Sequence, residues 1–280
     1  LSRLAPNAEG PERLFARILS PRGGSRRVNV FLTGASSGIG AALARCYADR
    51  GAQLGLFARR QDALAAIAAS LAPASPELYS GDVRDEAALR RAAADFTARY
   101  GPADVVVANA GISRGTQTDY VEDNPVFRAT FETNVLGMLH TFQPFLPSMR
   151  SAGKGKLVGI ASVAGFRGLP GAGAYSASKA AAINYLESLR VELAGSGVQV
   201  ITICPGYVAT PMTAANPYPM PFLLSAPRAA TLIVRAIAGG RRFYVLPWQM
   251  RWGGRVFSIL PRALFDRLMR RAVRKPRGGM

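Results

Sequence analysis

The sequence predicts an α/β fold: a doubly wound parallel sheet of about seven strands with helices on both faces. Three observations carry this expectation. From residue 28 onward, apolar strand-like runs alternate with helical patterns, as parallel sheets joined by right-handed crossovers require. The runs at 105–107 and 198–203 are almost wholly apolar, as strands buried on both faces are. Between the first run and the first helical pattern stands the glycine-rich stretch TGASSGIG, residues 33–40.

The strand-like runs fall at 28–32, 53–58, 77–80, 104–109, 156–162, 198–204 and 243–246, and the main later helical patterns at 61–71, 85–100, 125–150, 175–194 and 227–238. The first helix carries Ala41, Leu43, Ala44, Tyr47 and Ala48 at helical intervals, with Gly51 as its C-cap. No repeat or shift of composition divides 28–247, which therefore reads as one domain. Residues 1–27 read as a mobile basic extension with one or two helical turns, and 248–280 as a basic amphipathic extension.

With 280 residues, 49% hydrophobic and 19% charged, the chain has enough apolar material for a sizeable core. Its two cysteines, Cys46 and Cys204, are far apart and suggest buried thiols in a reducing compartment. No apolar run reaches about 18 residues, so a membrane span is not expected. No secretory leader is recognised, and a cytoplasmic protein is expected. The net charge of +18 sits mainly at the ends. Residues 1–27 hold 6 Arg against 2 Glu, and residues 241–280 hold 10 Arg and 1 Lys against Asp266 alone. Residues 28–240 are close to balance, with 18 basic and 14 acidic side chains.

Strand, glycine turn and helix form a phosphate site: glycines let backbone approach a pyrophosphate, and a helix start offers unpaired N–H groups. An ordinary glycine-rich turn is the alternative, because the spacing G-x-x-x-G-x-G is one residue longer in its first gap than the dinucleotide fingerprint. About 20 residues on, where an acidic side chain would read a ribose 2′-hydroxyl, stand Arg59 and Arg60. Their charge and fork geometry suit a 2′-phosphate and favour NADP(H) over NAD(H); a solvated pair at a helix start is the competing reading. Tyr175 and Lys179 share a helix face at i, i+4. An ammonium beside a phenol is expected to lower its pKa from near 10 toward the range useful for proton exchange. Ser162 ends the preceding strand, at the edge where open sheets bind ligands.

Taken together, these residues resemble the short-chain dehydrogenase/reductase family, whose Rossmann-like pattern is matched from about residue 28 to 246. The matching features are the loop at 33–40, Asp82-Val83, Asn109-Ala110-Gly111, Asn134, Ser162, Tyr175, Lys179, and Pro205-Gly206 with Val208 and Thr210 beyond. Ala108 departs from the family's usual second asparagine. The resemblance implies that Gly34, Ser36, Ser37, Gly38, Ile39 and Gly40 cradle the phosphates. It places Asp82 and Val83 at the adenine, Asn109, Ala110 and Gly111 along the adenosine side, and Pro205, Gly206, Val208 and Thr210 toward the nicotinamide. Tyr175 is implied as acid/base, Lys179 as holder of the nicotinamide ribose, Ser162 as donor to the substrate oxygen, and Asn134 as anchor of a relay water. No metal is implied. The substrate would be a small carbonyl or alcohol, and the segment 212–224, rich in Pro, Met and aromatics, would cap it and favour a hydrophobic one. A homodimer or homotetramer is implied, paired through the helices at 125–150 and 175–194.

His140 reads as structural. After residue 246, Pro261 opens a helix whose Leu264, Phe265, Leu268, Ala272 and Val273 form an apolar stripe beside Arg267, Arg270, Arg271, Arg274 and Lys275, with Trp248, Trp252 and Phe257 before it. Such a helix either lies on an anionic membrane surface or packs on its own domain or a sister subunit. Nucleic-acid binding is not expected, as no recognition motif accompanies the charge. The alternative function is a catalytically silent NADP(H)-binding scaffold attached to a membrane or partner through this tail.

Overall fold

The computed structural model describes residues 27–277 apart from 215 and 271. The expected N-terminal extension therefore lies almost entirely outside the described residues. A sheet of seven parallel strands forms the centre: β1 (Asn29–Thr33), β2 (Gln53–Ala58), β3 (Glu77–Ser80), β4 (Val105–Ala108), β5 (Gly155–Ile160), β6 (Val198–Pro205) and β9 (Phe243–Leu246), in the order β3-β2-β1-β4-β5-β6-β9. Two residue pairs, β7 (Val208–Ala209) and β8 (Leu224–Ser225), form a separate small ladder that closes the base of the 212–224 segment.

Alternation along each strand sends side chains to opposite faces, and both faces are covered. On one, Val30, Leu32, Leu56, Val107 and Ile201 meet Leu43 and Tyr47 of α1 (Gly38–Ala48) and Ile233, Val234 and Ile237 of α9 (Ala226–Ala238). On the other, Phe31, Phe57, Val106 and Leu157 meet Phe96 of α3 (Glu86–Tyr100), Phe142, Phe145, and Leu186 of α7 (Gly173–Glu192). Phe31 is the hub of this second layer, its ring 4.8 Å from Phe145 and 5.6 Å from Phe96 between centroids. A short α2 (Gln61–Ala69) follows β2.

The single helix expected at 125–150 is instead interrupted. It runs as α4 (Asn124–Phe131), a π turn (Glu132–Leu136), α5 (Gly137–Phe142), a 3₁₀ turn (Gln143–Phe145) and α6 (Leu146–Ser151). Pro144 cannot donate within the ladder, which accounts for the second break. The first lies where a Cβ on Gly137 would meet Val83 Cγ2 at 2.7 Å, so the helix touches the loop after β3 with no room for a side chain.

After β7 comes a four-residue α8 (Pro211–Ala214). The aromatic flank of the tail is itself a helix, α10 (Trp248–Ile259), and α11 (Arg262–Met269) follows Pro261. Both are fastened to the domain. Arg167 donates from Nε to the Phe257 carbonyl at 2.9 Å and from its terminal nitrogen to that of Leu260, and its guanidinium covers the Phe265 ring at 4.7 Å. Further on, Lys275 Nζ donates to Ser113 Oγ at 2.7 Å, Arg277 pairs with Asp123 at 3.0 Å, and the Arg277 guanidinium lies 3.4 Å from the centre of the Tyr120 ring. No described helix is long and apolar enough to cross a membrane.

Candidate active site

β1 connects to β2 on one side and neighbours β4 on the other, so the sheet's switch point lies at the carboxyl ends of β1 and β4. A cleft of about 300 Å³ opens there, where doubly wound sheets place their ligands. Its floor is the glycine turn. Gly34 has φ +67°, and a Cβ there would lie 2.8 Å from Ala110 Cα. A Cβ on Gly40 would come 2.1 Å from the Gly34 carbonyl oxygen, so α1 can meet the turn this closely only without a side chain. Asn109 ties the turn to β4: its Nδ2 donates to the carbonyls of Thr33 (3.1 Å) and Gly34 (3.2 Å), while its backbone N–H donates to Thr33 Oγ1 at 3.2 Å.

Of the residues expected in the site, Gly34, Ser36, Ser37, Gly38, Ile39, Arg59, Arg60, Asp82, Val83, Asn109, Ala110, Gly111, Ser162, Tyr175, Lys179, Pro205, Gly206, Val208 and Thr210 all line this cleft. Two do not. Gly40 faces the Gly34 carbonyl from within α1, as its packing requires. Asn134 is buried behind the wall, where its Oδ1 accepts from Ile112 N–H (2.8 Å) and its Nδ2 donates to the Ile112 carbonyl and to Ser178 Oγ, both at 3.0 Å. Both amide hydrogens are thereby committed, so this side chain fixes the chain after Gly111 and offers a relay water only acceptor oxygens.

At one end of the cleft, Arg59 and Arg60 are exposed beyond β2. Burial would raise the Asp82 carboxyl, but its hydrogen bonds and ion pair with Arg84 (2.8 Å), with Arg59 further off, hold it below the ordinary carboxylate range. At the other end, β5 and β6 bring Ser162 beside Pro205. The serine hydroxyl donates to the Pro205 carbonyl at 3.4 Å and accepts from Ala164 N–H at 3.1 Å. Lys179 is only 4% exposed; its Nζ donates to the Ile160 carbonyl at 2.8 Å and lies 5.8 Å from the Tyr175 ring centre.

The proton balance differs from the expectation of a lowered phenol pKa. Burial pushes Tyr175 above its ordinary value, and the hydrogen bond with Ser162 offsets only part of that. Burial also lowers Lys179 to about 8, so the ammonium that was to stabilise phenolate is itself weakened by dehydration. Cys204 lies beneath the pair; burial raises its thiol to about 12, and it is a free, inert cysteine.

Sequence reasoning did not single out Ala58, Gly81, Ile112, Thr133 or Pro211 in the lining, and had Thr213 only as part of the segment 212–224. Thr213 Oγ1 donates to the Val208 carbonyl at 2.6 Å and receives Thr210 N–H at 3.1 Å, which fixes the loop after β6. A Thr three residues after Thr210 was the available signal. Met212, from the segment expected to cap the substrate, also lines the cleft. His140 contacts the Val83 carbonyl at 3.1 Å. No metal-binding group of His, Cys and carboxylates occurs among the described residues.

A parallel sheet with a glycine-floored cleft at its switch point is the architecture of a dinucleotide-binding α/β protein. The short chain dehydrogenase family model matches residues 28–219. A Myxococcus xanthus protein known as an uncharacterized oxidoreductase is 42% identical over 243 residues, covering 86% of this chain and 95% of that one. Ketoacyl reductase HetN of Nostoc is 36% identical over 215 residues, 74% of each chain. A solved short chain dehydrogenase from Burkholderia cenocepacia, in complex with NADP, superposes with TM-score 0.76 at 27% identity, covering 87% of this chain and 98% of that one. An alcohol dehydrogenase from Thermococcus sibiricus, complexed with 5-hydroxy-NADP, gives TM-score 0.70 at 28% identity over 79% and 95% of the two chains. This chain belongs to the short-chain dehydrogenase family of oxidoreductases.

Proposed function

We propose that the protein is an NADP(H)-dependent reductase of a small hydrophobic ketone or aldehyde, working in reverse as an alcohol dehydrogenase. The observation that carries this reading is the meeting of Ser162, Tyr175 and Lys179 in the same cleft as the glycine turn and the Arg59–Arg60 pair. The solved relatives from Burkholderia cenocepacia and Thermococcus sibiricus, complexed with NADP and 5-hydroxy-NADP, support the same reading. The residues fit such a group: glycines leave backbone exposed for the pyrophosphate, and two arginines await a 2′-phosphate.

Bound NADPH would supply the hydride that the carbonyl carbon accepts. The chain's own residues would handle the oxygen. Ser162 would hold it by hydrogen bond and Tyr175, a phenol that keeps its proton at neutral pH, would give it that proton, yielding the alcohol. The phenolate left behind is favoured by the Lys179 charge, and solvent restores its proton. Lys179 has one N–H on Ile160 and two more for the ribose hydroxyls. Asn134 would act as a positioning residue, holding the wall after Gly111. Outward-facing Phe127, Leu136 and Val191 on the helices of α4, the π turn and α7 would pair copies into a dimer or tetramer.

A panel of apolar ketones assayed with NADPH and NADH tests the reading. Turnover is expected with NADPH, and Arg59→Asp is expected to weaken NADPH by about 10–100-fold while leaving NADH nearly unchanged. Equal loss for both cofactors would remove Arg59 as the phosphate reader, and no turnover with any carbonyl would favour the silent scaffold.

A further inference from the structure

The outward face of the tail helices is the strongest feature that this reaction does not use. On α10, Trp248, Trp252, Val256 and Ile259 follow one another at steps of four, four and three residues, which places them in one stripe. They are far from buried: Trp248 is 69% exposed, Trp252 62% and Ile259 81%. On α11, Leu264 and Leu268 are also more than half exposed, while Phe265 packs against Phe257 and Arg167. Arg251, Arg262, Arg267 and Arg270 are exposed on the same two helices or just after them, and Asp266 is the single acidic side chain in residues 241–280. The helices are also held in place, by Arg167 at one end and by Lys275 and Arg277 on Ser113 and Asp123 at the other. The apolar stripe is therefore presented by a fixed platform.

We propose that α10 and α11 form a docking face for an anionic lipid bilayer, with the tryptophans and Ile259 entering the headgroup boundary and the arginines meeting lipid phosphates. Large amphipathic rings and cationic side chains on one exposed helical surface are the chemistry of interfacial binding. A second copy of this chain would have to cover the apolar stripe while stacking one arginine-rich surface on another, and like charges oppose that. The inner side of α10 touches the cleft lining, where a Cβ on Gly206 would meet Met250 Cγ at 2.8 Å. Docking would thus hold the cleft about one helix thickness from the lipid, which suits the apolar substrate of the reading above, on which this last point alone rests.

The chain's two tryptophans are both in the stripe, so its intrinsic emission reports on this face directly and needs no catalytic assay. The full chain is titrated with phosphatidylcholine vesicles, with and without about 30% phosphatidylglycerol. With the anionic vesicles, a blue shift and quenching by lipids brominated in their acyl chains are expected. Apparent affinity should fall at least about 10-fold between low salt and about 0.5 M NaCl. The double variant Ile259→Asp, Leu268→Asp keeps both tryptophans and changes only exposed side chains; it should lose the effect while its circular dichroism and NADPH binding stay as in the wild type. No shift with anionic vesicles at low salt, or equal binding to neutral ones, would overturn the proposal. So would a blue shift that follows protein concentration without lipid, since a second copy would then be the occupant.

Discussion

Lys179 is a charged side chain held out of water, and its cost to the fold can be read from its pKa. Burial lowers that pKa from 10.5 to about 8, and each pKa unit is worth about 1.36 kcal/mol. At pH 7 the folded chain therefore carries a penalty of about 3 kcal/mol for keeping this ammonium buried. Lys179→Met removes the charge at similar length but gives up the hydrogen bond to Ile160, a loss of about 1 kcal/mol. The variant should thus be more stable than wild type at pH 7 by about 2 kcal/mol, a rise of roughly 4 °C or more in Tm, while losing activity. The sign then reverses. Because the folded pKa lies below the unfolded one, the unfolded chain binds more protons between about pH 8 and 10.5, and wild-type stability gains with pH in that window. By pH 10 most of the penalty is gone and the variant should be the less stable protein. Thermal melts of both proteins at pH 7 and pH 10, without cofactor, check this. A variant destabilised equally at both pH values would show that the burial of Lys179 carries no charge penalty, and the reasoning would fail.

Other outcomes follow from the same geometry. Gly40→Ala drives a Cβ to 2.1 Å from a backbone oxygen that cannot step aside; a loss of about 2–3 kcal/mol is expected in chemical denaturation, with weakened NADPH binding by fluorescence titration. Tyr175 has a raised pKa, so kcat/KM for carbonyl reduction should change little through neutral pH, where the phenol keeps its proton. Alcohol oxidation, which needs that proton removed, should climb steadily into the alkaline range; an oxidation profile that is flat from neutral to alkaline pH would count against Tyr175 as the base.

Much of this molecule was visible in the order of its residues because its central strands are buried on both faces and its edge strands still read as short apolar runs between helical patterns. Runs such as Val105–Ala108 have no polar side to confuse them, and Gln53–Ala58, Glu77–Ser80 and Phe243–Leu246 fall where the pattern placed them. The glycine turn was legible for a local reason: its conformation and the close approach of α1 both exclude side chains within eight consecutive residues. What stayed hidden was set by distant partners. The π turn is followed by Gly137, which packs on Val83 with no room for a side chain, and Asn134 finds its hydrogen-bond partners 22 and 44 residues away. Arg277 and Asp123, 154 residues apart, join the tail to the domain, and no local pattern marks that pairing. The direction of the Tyr175 pKa could not be read from Tyr and Lys spacing either, since it is decided by how much water the fold removes from both groups. In α10, the tryptophans looked like a flank to a helix because Gly253 and Gly254 interrupt the pattern. Gly254 is there because Phe166 fills the space its side chain would need.

The proposed reaction depends most heavily on Tyr175, the residue assigned there to exchange a proton with the substrate oxygen. NADPH consumption by wild type and by Tyr175→Phe, each at saturating apolar ketone, measures this directly when paired with an NADPH titration of both proteins. Loss of the phenolic hydroxyl should lower kcat by about 10²–10⁴-fold with cofactor affinity nearly unchanged. A variant that turns over at the wild-type rate would exclude Tyr175 as the proton donor.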